Sequence, residues 1–345
     1  MAQGRVYWLL LACSLVGAGL WQPPPAVATP RDLLFVSTVD GDQEIYVASA
    51  DGATVVQLTH NSTDDRNAVW SPDGRYIAFT SMQDGNPEIY VMSADDTEPR
   101  RLTQHPGLDA YPQWSPDGTR LAFVSDRGRH DNVYVMHVDG SYVINVSNST
   151  SSANNPRWSP RGDLIAFEES QGRTTNIMVV RPDGTDKRPL TSDPKAEDRS
   201  PAWSPDGTQL AFMGHRQRNL DIYVIGVDGT GERRLTEDQW IDTAPVWSPD
   251  GQKILFLSTR DGGARQQVYV MQADGSDQRN LSQTSTEETE ASWSPSGAQI
   301  IFSSFRDGHV AVYIMQADGT QPRRLTPQKG YQAQPLFAPR VSQHR

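Results

Sequence analysis

Trp70-Ser71-Pro72-Asp73-Gly74 is the stretch that decides the fold, and it returns with small changes at Trp114, Trp158, Trp203, Trp247 and Trp293. The Trp-to-Trp steps are 44, 44, 45, 44 and 46 residues, and one more step of 44 lands on Phe337 in Phe337-Ala338-Pro339. Seven equivalent places result. Pro72 supplies the fixed φ of the second position in a type I turn, Asp73 tolerates the third, and Gly74 takes the left-handed conformation that follows. A β-hairpin is therefore predicted, between Ala68-Val69-Trp70 and Tyr76-Ile77-Ala78-Phe79. The unit continues through a second turn to Glu88-Ile89-Tyr90-Val91-Met92, a third turn at Ala94-Asp95-Asp96, and Arg100-Arg101-Leu102-Thr103. One unit is four short strands.

A period in the forties with four strands per unit is the pattern of a β-propeller blade. The recurring Trp-Ser-Pro-Asp-Gly, Ile-Tyr-Val-Met, Asp-Gly-Thr and Arg-Arg-Leu-Thr segments resemble the TolB-type propeller repeat, a relative of WD repeats, from Leu33 to Arg340. The resemblance implies an exported propeller that docks another protein, such as a peptidoglycan-associated lipoprotein, through its loop face or channel. It also implies two departures from TolB itself, which carries an α/β domain ahead of six blades. Here the first strand opens at Leu33, and seven blades are counted.

Leu33-Leu34-Phe35-Val36, Glu44-Ile45-Tyr46-Val47 and Val55-Val56-Gln57-Leu58 match the second, third and fourth strands of a blade whose first strand is absent from the N-terminal end. Gln334-Pro335-Leu336-Phe337 matches that missing strand. The expected fold is thus an all-β, seven-bladed propeller in which the C-terminal strand completes the N-terminal blade and removes the open edges of a linear array.

Ahead of the repeat, Arg5, an apolar run from Val6 to Leu20 and Ala26-Val27-Ala28 read as an export signal over residues 1–28, cleaved near Ala28. The expected mature chain is a single domain over residues 29–345, periplasmic or secreted and monomeric. The run is shorter than the roughly 20 residues needed to span a bilayer. A lipoprotein signal through Leu10-Leu11-Ala12-Cys13 is the competing reading. Cys13 is the sole cysteine, so the mature protein holds no disulfide. The formal net charge is −11, and losing Arg5, the only charged residue of the signal, makes it −12. An acidic chain without a basic tract is a poor partner for nucleic acid or anionic lipid.

The two faces of the ring differ. Ser-Pro-Asp-Gly turns and Asp-Gly turns such as Asp139-Gly140 and Asp228-Gly229 are short and regular, whereas the opposite face carries variable connections such as His60–Asp65 and His215–Asn219. Binding is expected on the variable face, at the channel mouth. Five places before each Trp, or before Phe337, stand Asp65, Asp109, Ala153, Asp198, Asp242, Glu288 and Gln332. Thirteen places after each Trp stand Gln83, Arg127, Gln171, Arg216, Arg260 and Arg306, with Val39 at the matching place of the first blade. Four blades carry both charges, two carry neither, and one carries the acid alone, as intrablade ion pairs would require. The charged positions read either as structural pairs or as a ring offered to a peptide or glycan at the mouth.

Catalytic patterns are thin. The chain has no G-x-S-x-G elbow and no H-E-x-x-H. The hydrolase domain that prolyl oligopeptidase-like propellers cap is not expected. His130, His215 and His309 fall in second-to-third turns of different blades and are the candidates for a metal site of the propeller-lyase kind, with scattered surface histidines as the simpler account. Asp-Gly turns need no calcium. No cofactor or catalytic residue is assigned. The reading is a non-enzymatic binding scaffold for an envelope protein or glycan, with a hydrolase or lyase acting on a carbohydrate or small ester as the alternative.

Overall fold

The computed structural model describes residues 32–95, 98–261, 263–326 and 330–339. The signal reading for residues 1–28 lies outside them. The second blade shows the unit: Asp65–Trp70, Tyr76–Ser81, Glu88–Ser93 and Arg100–Arg101, antiparallel and hydrogen-bonded in that order. Among the described residues 28 strands form seven such units, and no helix is present. The first strands, in order of blade, are Gln332–Phe337, Asp65–Trp70, Asp109–Trp114, Ala153–Trp158, Glu197–Trp203, Asp242–Trp247 and Glu288–Trp293.

The ring closes as the sequence predicts. Gln332–Phe337 pairs with Leu33–Ser37 in antiparallel register, Leu33 opposite Phe337 and Leu34 opposite Leu336. Blades four and five go further, because Thr175 pairs in parallel with Glu197 and fuses both into one eight-stranded sheet.

Within each Ser-Pro-Asp-Gly turn the serine hydroxyl is a hub. Ser71 Oγ donates to Asp73 Oδ1 at 2.6 Å and accepts from the Tyr76 amide at 2.9 Å, while Gly74 takes φ +67°. This locks the hairpin from inside. The tryptophan of the motif does a different job. Trp114, Trp158, Trp203 and Trp293 each donate the indole N–H to a backbone carbonyl of the preceding blade, at 3.0–3.2 Å. Each ring therefore packs across the blade interface and is also oriented there.

Four of the six Asp-Gly turns between third and fourth strands, at Gly52, Gly140, Gly275 and Gly319, press against a leucine carbonyl of the preceding blade. A Cβ on Gly140, which sits at φ +89°, would lie 2.7 Å from the Leu102 carbonyl oxygen of the preceding blade. Gly140→Ala should accordingly cost more than about 1 kcal/mol, read as a lower urea midpoint at unchanged m-value; an unchanged midpoint would show that the blades can move apart freely.

Every first strand is bulged at one place, three residues before its Trp or Phe337. Asn67, Tyr111, Asn155, Ser200, Ala244, Glu290 and Gln334 all have φ between +51° and +57°. Each bulge coincides with a register shift against the second strand. A left-handed non-glycine residue costs roughly 1–2 kcal/mol, and seven repetitions mark this as a device of the architecture. The extra residue bends the strand and turns its backbone toward the axis of the ring.

Candidate functional site

The seven bulges line a central channel of about 900 Å³, to which every blade contributes its first strand. The wall is mostly uncharged: Asn67, Gln113, Asn154, Ser292 and Gln334 are interleaved with Pro156, Pro201, Pro245 and Pro335. Proline is tolerated there because the channel edge of a first strand has no further strand to receive its missing N–H. The ring is cross-linked around the axis. The Asn67 amide donates to Gln334 Oε1 at 2.8 Å, Tyr111 to Thr80 Oγ1 at 3.2 Å, Ser200 to Glu168 Oε1 at 2.8 Å, and Gln334 to Glu290 Oε2 at 2.7 Å.

Four charged side chains line the channel: Arg157, Glu168, Arg199 and Glu290. Glu168 is already occupied, because its Oε1 also accepts from Asn155 Nδ2 at 2.7 Å. Arg199 lies 3.1 Å from Glu197. Arg157 is different. Among the described residues its guanidinium makes no hydrogen bond or ion pair. Enclosure by the channel wall lowers its pKa, and Glu168 opposes that shift. Its surface remains accessible within the channel, so it stays a charged donor. A cation with five N–H groups and no fixed partner can receive an anion.

The sequence reading missed this patch, although the repeat carries a signal for it. The residue before the Trp or Phe337 is Val69, Gln113, Ala202, Val246, Ser292 or Leu336 in the other blades, and Arg157 is the one charge. Glu168 stands where they have Val36, Thr80, Val124, Met213, Leu257 or Ser303. Departures from the repeat, more than the repeat itself, point to the channel.

The acid and arginine positions pair within blades. Arg127 lies 2.6 Å from Asp109, Arg216 3.0 Å from Asp198, Arg260 3.0 Å from Asp242 and Arg306 3.2 Å from Glu288. The four guanidinium groups also stack on a Phe and a Tyr of their own blade, as Arg216 does on Phe212 and Tyr223. Asp65, Asp109, Asp198, Asp242 and Glu288 have no accessible surface. Burial raises the pKa of all five, against hydrogen bonds that lower it in each and the arginines that help lower four. For Arg216 burial pulls down, but Glu232 and Asp198 outweigh it and its pKa is raised. The four arginines keep partly exposed edges, the carboxylates lie behind them, and none of these residues lines the central channel.

His130 and His215 are exposed, and His309 Nε2 lies 2.9 Å from Arg324. Among the described residues no group of three or more His, Cys, Asp or Glu side chains stands in metal-holding geometry. Among the described residues no helix is long and apolar enough to cross a membrane.

Comparison with known proteins follows the same lines. The TolB beta propeller domain matches residues 82–200, 185–282 and 263–343, and the Tricorn protease N-terminal beta propeller domain matches residues 31–131. No curated protein matches the sequence. Among solved structures, a putative TolB from Agrobacterium tumefaciens is 28% identical, with TM-score 0.55 over 68% of this chain and 86% of that one. An oligogalacturonate lyase in complex with manganese is 18% identical, with TM-score 0.69 over 82% and 85% of the two chains. A puromycin hydrolase is 16% identical, with TM-score 0.72 over 89% of this chain and 56% of its own length. At such identities the last two share the fold alone, and propellers of one fold do different work. The matched segments span most of the repeat, and on that basis the chain belongs to the TolB beta propeller domain family.

Proposed function

We propose that this chain is an exported, non-enzymatic binding scaffold whose loop face and channel mouth receive an anionic group of an envelope or extracellular partner, a protein or a glycan. The observation that carries the reading is Arg157, whose guanidinium has no hydrogen-bond partner among the described residues and lines the same polar channel as Arg199. Arginine recognises carboxylate and phosphate through a planar fork, which is pre-organised so that less entropy is lost per hydrogen bond formed. In this reading the buried acid and arginine pairs keep the loop face rigid, and the export signal over residues 1–28 delivers the protein to the periplasm or beyond.

A pull-down from an envelope extract tests it. A specific partner should be retained by wild type, lost with Arg157→Glu, and kept with Arg75→Glu, which changes an exposed arginine that does not line the channel. Recovery of the same partner by Arg157→Glu, or of none by wild type, would remove the basis for the assignment. Stoichiometric metal in the purified protein, with turnover of a glycan or ester lost in His215→Ala or His309→Ala, would replace it by the enzyme reading.

A further inference from the structure

Glu44 opens the third strand of the first blade, and Asp65 opens the first strand of the second blade beside it. Both are enclosed, at 1% and 0% exposure, and neither carboxylate oxygen of Glu44 has a hydrogen-bond partner. Asp65 Oδ1 and Asp42 Oδ2 at the same seam are buried and unpartnered too.

Comparison across repeats shows what is missing. The place of Glu44 is acidic in two other blades, as Glu88 and Asp221, and each has an arginine on its fourth strand: Arg101 lies 2.6 Å from Glu88 and Arg234 2.8 Å from Asp221. The acids that follow at those seams, Asp109 and Asp242, have Arg127 and Arg260. At the first seam both arginine places are glutamine. Gln57 stands where the others have Arg101 and Arg234, and its amide reaches only the Thr59 carbonyl, at 2.8 Å. Gln83 stands where the others have Arg127 and Arg260. Two carboxyl groups are thus sealed between blades without the two cations that equivalent seams supply.

We propose that a proton takes the place of those cations: Glu44 and Asp65 form a proton-holding pair that latches the first blade to the second, next to the closure of the ring. A proton is favoured over a metal ion because the oxygens are sealed and, among the described residues, Glu44, Asp65 and Asp42 do not stand in metal-holding geometry. The groups facing Glu44 are Asp65 from the next blade, Asp42 from its own loop, the Thr59 hydroxyl, and the phenol of Tyr46, which is bonded to Asp40. None is a cation. Burial is the main cause that pushes Glu44 up to about 7 from 4.5, with Asp65 and Asp42 adding repulsion and the neighbouring Thr59 hydroxyl opposing it. Asp65 is raised as well, chiefly by burial.

A carboxyl whose pKa is raised on folding holds more protons folded than unfolded. Its stabilisation is complete below the unfolded value and is lost as pH climbs through the folded value. The window is therefore about pH 5 to 8, and titration belongs to the pair as a whole. Above it, two adjoining charges would loosen the seam and the His60–Asp64 connection on the loop face.

Urea unfolding at pH 5 and pH 8, with EDTA or with calcium, is the test. In wild type the folded-to-unfolded ratio should fall on the order of a hundred-fold more between those pH values than in Glu44→Gln. The other buried acids are common to both proteins and cancel in the comparison. Gln57→Arg, which copies the second and fifth blades, should flatten the dependence in the same way and raise the midpoint at pH 8. It also serves if Glu44→Gln does not fold. An infrared carboxylic acid band present in wild type at pH 6 and absent from Glu44→Gln would support the assignment. Equal pH profiles in wild type and Gln57→Arg would overturn it, as would stabilisation of wild type by calcium at pH 8 that Glu44→Gln abolishes.

Discussion

Ending the chain after Thr326 should leave no folded monomer. The lost strand, Gln332–Phe337, is the innermost of the first blade and carries the bulge at Gln334 that fills one seventh of the channel wall. Without it the N–H and C=O groups of Leu33–Ser37 face water as an open edge, and Leu34 and Phe35 lose Leu336 and Phe337 as neighbours. Two apolar side chains of this size contribute roughly 1.5–3 kcal/mol each. Loss of the seams to both neighbouring blades adds to this, so the total approaches the 5–15 kcal/mol that holds a whole domain. An exposed apolar edge strand also invites pairing with another chain. Size-exclusion chromatography should show aggregate, and circular dichroism no cooperative transition; a monomer melting near wild type would mean that the ring holds without its closing strand.

Arg260→Ala should destabilise the protein by about 3–5 kcal/mol, because Asp242 would then be a buried carboxylate without a cation. Arg260 donates Nε to Ser258 Oγ at 2.8 Å and a terminal N–H to Gln278 Oε1 at 2.7 Å, and it packs over Tyr269, so the loss is more than one ion pair. The repeat itself indicates the remedy. The fourth blade has Ala153 and Gln171 at these two places and folds without the pair. Asp242→Ala with Arg260→Gln should therefore recover most of the loss, and a double-mutant cycle in urea measures the coupling. If the double variant were as unstable as the sum of the singles, the pairing across repeats would be coincidental.

Much of this was legible because one chain contains its own comparison. Seven aligned copies made the hairpin, the closing strand and the joint presence of Asp198 with Arg216 readable without any second sequence. The bulges were not. Asn67 and Asn155 would suggest a left-handed residue, but Tyr111, Ala244 and Glu290 have no such preference, and their φ values are imposed by the geometry at the axis. Placement of the acids also depended on packing: spacing located them at the start of each first strand, and only burial shows that Asp109 and Glu288 lie beneath their arginines. Arg157 and Glu168 escaped notice because attention to what recurs passes over what occurs once.

The single parallel bridge between Thr175 and Glu197 has a bearing on recognition. It welds together the two blades that carry Arg157, Glu168 and Arg199. Other seams are tied by a backbone hydrogen bond from the first strand to the preceding blade, such as Asp109 N–H to the Pro87 carbonyl at 2.9 Å and Ala153 N–H to the Asp131 carbonyl at 2.8 Å, whereas here the Thr175 amide also donates forward to the Ala196 carbonyl at 3.3 Å and the two strands pair. The backbone spacing of the strands that bear Arg157 and Arg199 is thereby held from both sides, and the adjustment left between their guanidinium groups belongs to the side chains.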